Sequence, residues 1–117
     1  MTTHLKINYI ELPAEDLERA KAFYQATFGW AFEDYGPDYC AFNDGENDGG
    51  FYRSPLRTNS DEGAALVVLY AEDLEAAEQS VIENGGMIKT AIFPFPGGRR
   101  FHFLDPNQNE LAVWSDN

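Results

Sequence analysis

Several side chains in this chain are of types that move protons or hold anions. His102, in the run RRFHFLD, offers an imidazole that can serve as general acid or base, and Glu11, in YIELPA, could orient it or share the proton. The plainer reading of His102 is a surface or hydrogen-bonded histidine on the other face of its strand. Arg99 and Arg100 carry the planar fork that grips a carboxylate bidentately, though in so acidic a chain pairing with surface carboxylates is the simpler use. Cys40, between Tyr39 and Ala41 with no histidine beside it, reads as a small buried hydrophobe rather than a nucleophile. His4 falls near the start of the chain, where exposure is expected. No glycine pair has the lysine or the strand-to-helix placement of a phosphate-binding loop, and no nucleophile elbow is present.

These side chains hang on a scaffold written twice. AEDLERA at 14–20 returns as AEDLEAA at 71–77, an offset of 57. At that offset, without a gap, YIELPAEDLERAKAFYQATFGW at 9–30 matches LVVLYAEDLEAAEQSVIENGGM at 66–87. Each copy opens on an apolar strand-like run, Ile7 to Leu12 or Leu66 to Tyr70. Helical spacing follows, with Leu17, Ala20, Tyr24 and Phe28 in one copy and Leu74, Ala77 and Val81 in the other. Asp16 and Asp73 are placed to cap free N–H groups, Glu18 and Glu75 to meet the positive end of the helix dipole, and Gly29 or Gly85 to allow a left-handed exit. Three short strand-like runs follow each helix: WAFEDY, DYCAFND and GGFYR, then MIKTAIF, RRFHFLD and NELAVW. The unit is therefore β-α-β-β-β, twice, with unit one at 5–52, a polar linker at 53–62 and unit two at 63–115. A half of about 55 residues would leave one sheet face bare, so the two must share a core.

Alternation along strands sorts the faces. If Ile10 and Leu12 lie under a helix, Ile7, Tyr9 and Glu11 face the other way, and the repeat offset sends Ala64, Leu66 and Val68 with them. If Phe101 and Phe103 lie under the helices, Arg100, His102 and Leu104 join that second face. Tyr9, Phe51, Tyr52, Phe93, Phe95, Phe101 and Trp114 suffice to wall a pocket as well as a core, and Trp114 shares its face with Ala112. TAIFPFPGGRR at 90–100 has the Pro and Gly content of a mobile loop beside a site, or of a hairpin connection that packs on a partner.

Composition narrows the partners. Twenty acidic residues against eight basic ones repel phosphate backbones and anionic membranes, so no nucleic-acid or membrane partner is expected. No apolar run is long enough to span a bilayer, and the first residues lack a secretory pattern. A single cysteine excludes an internal disulfide, and the expected location is the cytoplasm.

The duplicated unit, with IELPAEDLERAKAFY, FGW and FLDPNQNELAVW, resembles the vicinal oxygen chelate superfamily over residues 5–115. That group includes glyoxalase I, bleomycin resistance proteins and extradiol dioxygenases. The resemblance implies an α+β fold in which two tandem βαβββ units curve mixed sheets around a cavity, with helices on the outer faces. Metal-dependent members place His, Gln or Glu on the first and fifth strands and Glu on the fourth and eighth. The family pattern Asp-Pro-x-Gly-Asn-x-x-Glu falls here on Asp105 to Ala112, so Ala112 takes the ligand position and Gln108 the glycine. On the fourth strand the equivalent is Phe51 or Tyr52, and Glu11 is the one possible donor.

A member so altered is expected to lack the family's metal, to need no cofactor and to form a homodimer. Its small organic ligand would lie against Tyr9, Phe51, Leu66, Val68, Arg100, Ala112 and Trp114, with Glu11 and His102 as the candidate catalytic pair. Two alternatives stay open. One is a divalent-metal lyase, isomerase or dioxygenase with shifted donors Glu11, His102 and Glu110; the other is a resistance protein whose carboxylates ring an aromatic groove and sequester a cationic drug.

Overall fold

The computed structural model describes residues 3–117. Both helices start where the repeated aspartates stand: an Asp16 side-chain oxygen accepts the Arg19 N–H, and Asp73 accepts that of Ala76. Unit one runs β1 (Tyr9–Ala14), α1 (Leu17–Phe28), β2 (Ala31–Asp34), β3 (Tyr39–Asn43) and β4 (Asp48–Arg53). Unit two runs β5 (Val67–Tyr70), α2 (Leu74–Glu83), β6 (Met87–Phe95), β7 (Gly98–Leu104) and β8 (Glu110–Ser115). α1 ends on Gly29, whose φ of 76° closes the helix through a conformation a side chain would resist. In each unit the first strand lies parallel to the last and the rest pair antiparallel, giving two open mixed sheets, β1-β4-β3-β2 and β5-β8-β7-β6. The fold is α+β, a doubled βαβββ unit, as expected.

One core serves both sheets. Leu17, Ala20, Phe23 and Tyr24 of α1 and Leu74 and Val81 of α2 are buried with Leu12, Phe101, Phe103, Leu111 and Val113. Phe23 and Phe28 of α1 lean on Phe103 of β7, so aromatic contact crosses from one unit to the other. Each large side chain so buried contributes about 1.5–3 kcal/mol of transfer free energy. A polar clamp adds to the join. The Tyr24 hydroxyl donates to the buried Asp105 carboxylate at 2.7 Å, the Asn109 amide donates to the Pro13 carbonyl at 2.6 Å, and Asn107 exchanges hydrogen bonds with the Asp16 backbone. The turn between β7 and β8 thus staples unit two to the strand-helix junction of unit one.

Three expectations need correction. β1 begins at Tyr9, leaving Ile7 exposed ahead of it. Phe51 does not line the outward face: it is fully buried against Tyr24, Phe32 and Phe42, because Gly50 beside it takes the outward position opposite Glu11 and alternation turns Phe51 inward. TAIFPFPGGRR is no loop but the β6–β7 hairpin, and register shifts between Ile88 and Phe93 accommodate its irregular sequence. Pro94 is tolerated there because β6 is an edge strand. Among the described residues no helix is long and apolar enough to cross a membrane.

Candidate functional site

On the second sheet the β7–β8 register pairs Arg100 with Trp114, His102 with Ala112 and Leu104 with Glu110. Those six residues share the face away from Phe101 and Phe103. Glu110, 3% exposed, anchors the group. One of its carboxylate oxygens accepts from Lys89 at 2.9 Å and from the Ser60 N–H and hydroxyl at 2.8 and 2.7 Å; the other meets His102 Nδ1 at 2.7 Å. Burial alone would raise the Glu110 carboxyl, but the hydrogen bonds from His102, Lys89 and Ser60 outweigh it and hold it down to about 2.

The imidazole state follows from its neighbours. Arg100 points Nη2 at His102 Nε2 at 2.8 Å and Nε at 3.2 Å, and a guanidinium can only donate. Nε2 is therefore the acceptor and Nδ1 carries the proton donated to Glu110; this tautomer is assigned from the partners. Phe93 and Phe95 flank the Arg100 guanidinium at 5.7 and 5.9 Å, and Trp114 stands edge-on to Phe95 and Tyr70.

The first sheet carries different chemistry. The Tyr9 and Tyr39 hydroxyls lie 2.6 Å apart and Tyr39 donates to the exposed Glu11 carboxylate at 2.9 Å. Burial, then the bonds to Tyr9 and Glu11, push the Tyr39 phenol well above its ordinary range. Gly50 makes this possible, since a Cβ there would collide with the Tyr39 hydroxyl.

The expected pair of Glu11 and His102 is not formed. They lie on different sheets and share no hydrogen bond; His102 is bound to Glu110 instead. Ala112 faces as expected but is fully buried, so it offers a ligand no surface. Tyr9 and Val68 meet in a cleft of about 140 Å³ between β1 and β5, walled also by Ile10, Trp30 and Phe42. Leu66 lies just ahead of β5, half-buried and outside that cleft. Sequence reasoning missed Lys89, Ser60 and Tyr39. Lys89 had one signal, a lone lysine in the apolar run MIKTAIF.

The residues do not fit the family's metal. Register pairs Glu11 with Gly50 and Val68 with Ala112, so the equivalent fourth- and eighth-strand positions hold Gly50 and Ala112, neither of which can donate. The fourth-strand position is thus Gly50 rather than Phe51 or Tyr52. The shifted set fares no better, for Glu110 is already saturated by Lys89, Ser60 and His102, and two cationic side chains stand where a divalent ion would have to sit. Among the described residues no group of three or more His, Cys, Asp or Glu side chains converges on a metal-sized site.

Comparison with known proteins places this geometry. The family model described as Glyoxalase/Bleomycin resistance protein/Dioxygenase superfamily matches residues 6–113. A glyoxylase-like domain-containing protein of Didymella fabae is 31% identical over 97% of both chains. The Mycobacterium bovis protein named "Putative glyoxylase CFP32" is 24% identical over 94% of this chain, which spans about half (45%) of that relative's length. Among solved structures, the fosfomycin resistance protein FosX of Listeria monocytogenes superposes with a TM-score of 0.78 at 15% identity, covering all of this chain and 96% of its own. Lactoylglutathione lyase of Agrobacterium tumefaciens gives 0.71 at 19% identity, covering 97% and 96%. At such identities these two share the fold.

Proposed function

The chain belongs to the glyoxalase/bleomycin resistance protein/dioxygenase superfamily, and we propose that it is a member that binds a small organic molecule without the family's metal centre. The carrying observation is Glu110, whose carboxylate is buried, neutralised by Lys89 and hydrogen-bonded by His102, while Gly50 and Ala112 stand at the equivalent positions on the fourth and eighth strands. The binding face is the outward side of β7 and β8, with Arg100 and Trp114 at its centre and Phe93 and Phe95 as apolar wall. A homodimer that covers this open face, in the cytoplasm, completes the reading. Cationic drugs fit the face poorly, since Arg100 would repel them.

A thermal-shift screen of small neutral and charged organic compounds tests this, run on chelator-treated protein and on protein loaded with nickel, zinc, manganese or iron. Stabilising compounds that act equally in both conditions are expected. Stabilisation confined to the metal-loaded protein would overturn the reading in favour of a metal-dependent lyase or dioxygenase.

A further inference from the structure

Arg100 carries a charge the fold leaves unanswered. Among the described residues Arg19, Lys21, Arg53, Lys89 and Arg99 each have a carboxylate in ion-pair contact. Lys6 and Arg57 have none, but both are exposed to water. Arg100 is half-buried between two phenyl rings in a strongly acidic chain, and its only side-chain hydrogen-bond partner among the described residues is the His102 imidazole. Two of its five N–H donors reach His102 Nε2, which leaves the fork formed by Nη1 and Nη2 without a protein partner.

That fork is also held in place. Ser60 and Lys89 fix Glu110, Glu110 fixes the protonated Nδ1 of His102, and the lone pair on Nε2 then grips one edge of the guanidinium. A planar fork so anchored matches a carboxylate and loses little freedom on binding one.

Resting on the metal-free reading above, we propose that Arg100 anchors the carboxylate of a small aromatic or apolar acid, with His102 as a positioning residue. The apolar body of the acid lies along Phe93, Phe95 and Trp114. His102 takes no proton from the ligand, because its acceptor nitrogen is committed to Arg100.

The test compares benzoate with its neutral isostere benzamide by NMR titration of metal-free protein, following the Arg100 Nε–H signal and the amides of β7 and β8. Benzoate is expected to bind at least about tenfold more tightly than benzamide, as a charge-assisted bidentate contact should. Arg100→Met should erase that preference, weakening benzoate by far more than benzamide; Arg100→Lys, which keeps the charge without the fork, should retain only part of it. His102→Ala should weaken benzoate more than benzamide, and His102→Gln, whose amide can reproduce the donor and acceptor, should restore the difference. Equal binding of the two probes would overturn the carboxylate anchor while sparing the metal-free face. Binding of either only after metal loading would overturn both, as would no binding at all. If Arg100→Met dissolves a dimer and benzoate has no effect, the fork belongs to a carboxylate of a second copy, and the proposal falls.

Discussion

Glu11 stands opposite Gly50 on the first sheet, and Val68 stands opposite Ala112 on the second, at positions the duplication makes equivalent. Around the first pair the polar groups are hydroxyls and one exposed carboxylate: Tyr9, Tyr39 and Glu11. Beside the second pair lies a chain in which the imidazole of His102 links the ion pair of Lys89 and Glu110 to Arg100, and its central carboxylate is sealed from water. The helix caps and the strand pairing are common to both units, while the outward faces differ. A buried charge must be paired to be tolerated, so the second face is bound into the fold in a way the first is not.

Removing one carboxylate from each face should break the comparison most sharply. Glu110→Ala takes the acceptor from the His102 Nδ1–H and the Ser60 donors and leaves Lys89 only Asp61 and Asn59, and should cost about 3–5 kcal/mol in urea unfolding. Glu11→Ala should cost below about 1 kcal/mol, because its oxygen already faces solvent. Near-equal losses would mean that the second network is not the anchored one.

Acid sharpens the same contrast. The Glu110 carboxyl is held at about 2 in the folded chain against an ordinary 4.5, so between those values the unfolded chain binds more protons. The stability it contributes is complete above about pH 4.5 and drains away as pH falls toward 2, on the order of 3 kcal/mol in all. Asp105 has the opposite sign: burial raises its carboxyl despite the bonds from Tyr24, Asn109 and Asn107, so its contribution grows as pH falls. Unfolding curves of Glu110→Gln should show a shallower acid slope, Asp44 and Glu75 supplying what remains, and those of Asp105→Asn should lose the gain in stability on acidification.

Smaller effects probe the first face. Gly50→Ala forces a Cβ onto the Tyr39 hydroxyl and should cost about 1–3 kcal/mol in urea unfolding. Tyr39→Phe removes one half-buried hydroxyl and should cost about 1 kcal/mol by the same measurement.

Much of the fold was legible because the repeat wrote it twice: Asp16 and Asp73 cap as their spacing predicts, and the alternation that buries Phe101 and Phe103 turns Arg100 and His102 outward. The candidate site was less so. Phe51 was misplaced because nothing in GGFYR fixes which of five consecutive residues faces the helix until its register with β1 is known. The contact of Ser60 with Glu110 spans 50 residues and begins in a linker with no pattern at all, so alternation could not reveal it. Glu11 and His102 looked like partners because each faces outward, yet facing outward on two different sheets does not bring side chains together.

The most direct measurement is metal content by mass spectrometry, on protein purified without chelator or added metal and again after loading with nickel, zinc, manganese and iron and desalting. A face neutralised by Lys89 and Arg100 predicts far less than one equivalent per chain in every sample. A tightly held, near-stoichiometric metal in any of them would contradict it and return Glu110 and His102 to the role of ligands.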